Sequence, residues 1–181
     1  LMVAIVVILA ATISVFVFGF AENITNPAPN VAQTSGEFIP GADDQEVRIT
    51  HISGDNVRVE HIEVVVRASG PNVDTEARLV NLPAKDSDID PVNIQGDTSL
   101  IDKSTGGAGP ADPNQVIIED FPTDDDIWEA GETIQFEINV GSADFREPPD
   151  RRGPDADKLD ISIIYTSTDT SAILYEETFN P

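Results

Sequence analysis

The sequence predicts an N-terminal hydrophobic α-helix followed by an all-β antiparallel sandwich head of immunoglobulin-like (Ig-like) layout. Three observations predict it. Residues 1–20 contain no charged side chain. A Pro- and Asn-rich stretch follows, up to residue 36. From Glu37 onward apolar residues recur at every second position between turn signals, without a helical period.

In the first segment only Thr12, Ser14 and Gly19 interrupt an otherwise apolar run. A helix of about 20 residues spans about 30 Å, the thickness of a bilayer's hydrocarbon core. It is apolar on every side, so it must be buried in lipid or among other helices. Leu1, Val3, Ile5, Ile8, Leu9, Ile13, Phe16, Phe18 and Phe20 are its candidate assembly residues. A cleaved export signal has a basic start, a shorter apolar stretch and a small-residue cleavage box. No Lys or Arg occurs before Arg48, so the helix is read as retained.

Residues 21–36 read as a flexible linker, because Pro27 and Pro29 end any helix and favour extended backbone. Within it Asn23-Ile24-Thr25 is an N-glycosylation sequon, or else Asn23 helps to end the helix.

Residues 37–181 form the predicted acidic head. Val47 and Ile49 alternate with Arg48 and Thr50, and Ile62, Val64 and Val66 alternate with Glu63 and Val65. Ile134, Phe136, Ile138 and Val140 form another such set, and so do Leu159, Ile161, Ile163 and Tyr165. Ile173, Tyr175 and Phe179 are expected to share a face, and Arg78–Leu82 and Gln115–Glu119 are shorter candidate strands. Short strands without helices between them predict an antiparallel sandwich. Two Pro- and Gly-rich acidic stretches, Ala84–Pro113 and Ser142–Asp157, are expected to be loops or loosely ordered insertions on its rim.

Charge narrows the function. The chain has 33 acidic and 10 basic residues, a net charge of -23. That excludes the electrostatic footprint of a nucleic-acid binder. The acids are spread over the whole head and Lys85, Lys103 and Lys158 are the only lysines, a composition suited to solubility in concentrated salt. There is no cysteine, so disulfides and thiolate metal sites are excluded.

The chemistry-bearing side chains form no recognisable catalytic pattern. His51 and His61 are the only histidines, too few to lead a zinc site, and His51 is expected to be a polar strand-end residue that fixes the next turn. Asp120, Asp124, Asp125, Asp126 and Glu129 cluster, but without the spacing of a calcium loop they read as a solvated acidic loop. No nucleophile elbow or paired-carboxylate motif is present. The expectation is a protein that is not an enzyme and takes no metal or cofactor.

The opening Leu-Met-Val-Ala-Ile-Val-Val-Ile-Leu-Ala-Ala-Thr-Ile-Ser resembles the amino-terminal helix of haloarchaeal type IV pilins. Ile49-Thr50-His51-Ile52-Ser53-Gly54-Asp55, followed by Ile62–Val66, is similar to a pattern in their β-domains. Trp128-Glu129-Ala130-Gly131-Glu132 and the closing Ile173–Phe179 also resemble that group. Its members carry a charged leader and a processing site ahead of this helix, and the chain is read as starting after processing or within the helix. The resemblance implies a homo-oligomeric helical filament with bundled helices inside and β-domains outward, extracellular on the cell surface. It implies membrane insertion before assembly, and adhesion to an unknown surface or cell receptor. Two alternatives stand beside it: an archaellin of a motility filament, and a monomeric membrane-anchored binding module.

Overall fold

Where apolar residues alternate, the chain forms strands. The computed structural model describes residues 27–42, 45–83, 91–102 and 126–181. The predicted helix, Asn23, the candidate strand Gln115–Glu119 and the acids Asp120, Asp124 and Asp125 lie outside the described residues. Among the described residues no helix is long and apolar enough to cross a membrane.

The strands are β1 (Val31–Ile39), β2 (Gln45–Gly54), β3 (Val57–Arg58), β4 (Ile62–Gly70), β5 (Val73–Leu79), β6 (Ile94–Gly96), β7 (Ile127–Trp128), β8 (Thr133–Ile138), β9 (Lys158–Thr166) and β10 (Ser171–Phe179). They build a three-stranded sheet ordered β1-β2-β8, a five-stranded sheet ordered β10-β9-β4-β5-β6, and the short pair β3-β7. Every ladder is antiparallel.

The buried faces follow the period of two. Val47 and Ile49 of β2 lie opposite Phe136 and Ile134 of β8, and all four are buried. Val64 and Val66 of β4 lie opposite Ile163 and Ile161 of β9, also buried. These residues from both large sheets belong to one hydrophobic core. Each such side chain stabilises the fold by roughly 1.5–3 kcal/mol through burial.

Four expectations change. The stretch read as linker ends earlier than residue 36, because β1 starts at Val31. Its weak apolar pattern has a physical cause at Gly36. A Cβ there would overlap the side chains of Tyr175, Glu177 and Phe179, so a side chain is excluded where the strand pattern calls for one. Phe38 supplies the packing instead, edge-on to Phe145 with ring centroids 4.9 Å apart.

The strand expected at Arg78–Leu82 lies further upstream. β5 ends at Leu79, and Asn81 takes a left-handed φ of 55°, which leaves the ladder.

Ile173 does not share a face with Tyr175. A bulge lies between them: Ile173 pairs with Ile164, and Tyr175 pairs with Ile163. The extra residue breaks the alternation. Tyr175 is therefore buried, while Ile173 is 63% exposed.

The two acidic stretches are more than rim loops. Within the first, β6 pairs with β5, and Ile94, Leu100 and Ile101 are buried in the core. Within the second, Ala143, Phe145 and Ala156 are buried. Buried Gln45 holds that segment: its Nε2 donates to the carbonyl oxygens of Ala143 (2.6 Å) and Ile138 (3.3 Å). Its Oε1 accepts from the Phe145 N–H (2.9 Å).

Asp144 is the hub of the second stretch. It is fully buried, and its carboxylate accepts from Arg146 Nε (3.0 Å) and Nη2 (2.7 Å). The backbone N–H groups of Arg146 (3.1 Å), Arg152 (2.6 Å) and Gly153 (3.0 Å) also donate to it. Burial alone would raise its pKa, but the Arg146 bond and the backbone donors outweigh burial and hold it well below the usual carboxylate range.

Candidate functional site at the chain entry

Ile49–Asp55 and Trp128–Glu132, distant in sequence, meet at one end of the head. His51 is fully buried near the end of β2. Its ring lies against Trp128 with centroids 5.0 Å apart. The period of two explains this, since Val47, Ile49 and His51 fall on the same inward face of β2.

The pairing beyond β8 is backbone-made. The His51 N–H donates to the Glu132 carbonyl (2.9 Å), and the Gly131 N–H donates to the His51 carbonyl (2.7 Å). Gly131 has φ +101°, a conformation that favours glycine at this turn. Trp128 Nε1 donates to the Glu132 carbonyl (3.1 Å), and the Glu129 N–H donates to Glu132 Oε2 (2.8 Å).

His51 Nδ1 lies 3.3 Å from the Trp128 carbonyl oxygen. A carbonyl only accepts, so this contact places the proton on Nδ1. Nε2 is buried without a hydrogen-bond partner among the described residues. The imidazole therefore serves as packing and as a donor to Trp128. Among the described residues neither a nucleophile nor an orienting carboxylate is in hydrogen-bond contact with it.

The chain enters the head beside this corner. The Asn30 N–H donates to Asp55 Oδ2 (2.9 Å), and the Asp55 N–H donates to the Asn30 carbonyl (2.9 Å). Gly54 has φ +133°, and a Cβ there would collide with the Asn30 oxygen, the Ala32 nitrogen and Val31 Cα. The β1–β2 ladder opens at this point with Val31 opposite Gly54, and its register shifts on both sides of Gln33. The motif Ile49–Asp55 marks this corner in the sequence. Nothing in the sequence named Asn30 as its partner.

His61 sits in a short 3-10 turn (Val59–His61), edge-on to Tyr165 with centroids 5.6 Å apart. Asp126 precedes β7 and, through its carbonyl, accepts from the Val59 N–H (2.9 Å). Among the described residues no group of three or more His, Cys, Asp or Glu could hold a metal ion. Ala42, Arg146, Pro149, Asp150 and Arg152 line an open groove of about 300 Å³. Arg146, its most buried cation, is committed to Asp144. The assembly residues from Leu1 to Phe20 and the sequon at Asn23 fall outside the described residues.

A comparison with curated proteins gave no match. A comparison with protein families matched residues 1–33 to the archaeal type IV pilin N-terminal family, a segment that ends inside β1. Residues 1–33 are thus similar to the N-terminal domain of the archaeal type IV pilins, and the described residues that follow build an all-β head.

Proposed function

We propose that the protein is a structural subunit of an extracellular archaeal type IV pilus, assembling as a homopolymer through its N-terminal helix. The observation that carries this reading is the family match over residues 1–33, which contains the uncharged run of residues 1–20. A continuous apolar surface of that length must be covered. The membrane covers it before assembly, and neighbouring helices cover it in the filament. The Ig-like sandwich head then faces outward and mediates adhesion, and the subunit performs no catalysis.

The test is Ile8→Asp in the full chain. A charge in an apolar helix setting costs a few kcal/mol. Filaments in sheared surface material should disappear, while the purified variant keeps the β-sheet signature of its head. Normal filament numbers in this variant would overturn the assembly role. Adhesion is tested by counting attached cells of filamented and bald strains. Equal attachment would point to the motility reading.

We also propose that the head is adapted to concentrated salt. It carries every acid of the chain except Glu22. The ion pairs Arg48–Glu46, Arg67–Asp74 and Arg78–Glu63 each have a substantially exposed arginine, so screening costs the fold little through them. The excess acids repel one another across distances that salt shortens from about 10 Å at 0.1 M to about 3 Å at 1 M. The melting temperature of a head spanning residues 27–181 should rise by on the order of 10 °C between dilute buffer and molar salt. A flat profile would contradict the adaptation.

A further inference from the structure

We infer that Gly54 and Asp55 form a latch that fixes the direction in which the chain enters the head at Asn30. The inference rests on the filament reading for its purpose, but not for its geometry.

The family-matched segment, residues 1–33, crosses from the N-terminal part of the chain into the first strand of the head. Asn30 lies inside that segment, while its partner Asp55 belongs to the head. Two reciprocal bonds, both 2.9 Å, join them: backbone N–H to carboxylate in one direction and backbone N–H to carbonyl in the other. The carboxylate bond is charge-assisted, and charge-assisted bonds are the stronger class.

Gly54 contributes space. Its φ of +133° and the close approach of Asn30, Val31 and Ala32 leave no room for a side chain. The entering backbone therefore lies directly on the turn, with no side chain between them to act as a cushion.

The ladder itself is weakest here. Register shifts between Val31 and Gln33, and again between Gln33 and Thr34, break its regularity. Beyond Thr34 the pairing continues without interruption to Ile39. Without the latch, the last regular anchor of the head would be Thr34, and residues 30–33 would pivot as a hinge. With it, the hinge is closed at Asn30. Pro29 immediately upstream restricts the backbone on the other side. A filament whose heads are held at one angle presents the same outer surface at every subunit.

The test uses the full chain, first in detergent micelles. In Asp55→Ala the Asn30 amide proton should exchange about tenfold faster, the effect of losing one hydrogen bond to a charged group. Asp55→Asn keeps a side-chain carbonyl acceptor and should stay near the native rate. Amides of β4 and β9 should be unaffected in both, which reports that the head is folded. Unchanged exchange at Asn30 in Asp55→Ala would overturn the latch.

The second measurement is image reconstruction of filaments from the same strains. Native and Asp55→Asn filaments should show ordered heads, whereas Asp55→Ala filaments should keep an ordered helical core under blurred heads. Heads as ordered as native in Asp55→Ala would overturn the orienting role. If the native chain makes no filaments, the filament reading fails, and the exchange rates still decide the latch.

Discussion

Asp144→Ala should destabilise the head by about 3–5 kcal/mol, the loss that follows when one partner of a buried ion pair is removed. The side chain is fully buried, so no water replaces it easily. Its removal takes a shared acceptor from the Arg146 guanidinium, itself only 11% exposed, and from the backbone N–H groups of Arg146, Arg152 and Gly153. Asp144→Asn should fall between wild type and Ala. The amide oxygen still accepts, but the amide nitrogen faces donors. Urea unfolding of heads spanning residues 27–181 measures both variants. A loss below about 1 kcal/mol for Asp144→Ala would mean that the segment from Ser142 to Asp157 is held by its apolar residues and the Gln45 bonds, without a net contribution from Asp144.

The same carboxylate predicts an acid limb. The folded-state pKa of Asp144 lies below its ordinary value of 3.8. A depressed carboxylate contributes stability that is complete above its unfolded pKa and declines as pH falls toward its folded pKa. The contribution should therefore be intact above about pH 5 and fall progressively below about pH 4. Asp160 acts in the same direction: burial opposes its ionisation, but bonds from Lys158 and Thr178 prevail and lower its pKa. Protonating the many other acids also relieves repulsion, which works the opposite way. The difference between wild type and Asp144→Ala isolates the one group. That difference should be constant near neutral pH and shrink on acidification.

The fold was legible wherever side chains alternate without backbone irregularity. β2, β4 and β9 follow the apolar period closely, because both of their neighbours are strands and one face is fully buried, while the edge strand β8 shows it through the buried Ile134, Phe136 and Ile138. β1 was hidden because Gly36 stands where Tyr175 fills the space, and because an edge strand needs few apolar residues. Ile173 was misplaced because a bulge cannot be read from alternation, which is the very signal it interrupts. Leu100 and Asp144 were hidden by composition. Acidic, Pro- and Gly-rich sequence signals a surface loop, yet each segment sends a few residues inward, and a buried carboxylate is recognisable only once Arg146 is seen beside it. The entry site was half legible. The Gly54-Asp55 turn and the Trp128–Glu132 turn were both visible as motifs, but their closeness to each other and to Asn30 is a property of the ladder alone.

Phe136→Ala should cost about 3–5 kcal/mol, the range for removing a large aromatic side chain from a packed interior. Phe136 is fully buried at the middle of β8, opposite Val47 of β2, and it belongs to the core that both large sheets share. Domains of this size are stable by about 5–15 kcal/mol, so the variant should sit near the edge of folding. Ile173→Ala is the control. It removes more than a methyl group from a residue of similar hydrophobicity, but 63% of that residue is already in water. Its effect should stay within about 0.5 kcal/mol, as for ordinary surface substitutions. The contrast is informative because sequence alternation alone assigns both residues inward. Urea midpoints of the two heads measured together separate the possibilities. A large loss for Ile173→Ala would place that side chain in a buried environment and remove the bulge from β10, whereas a small loss for Phe136→Ala would mean that the two sheets do not share a tightly packed core at β8.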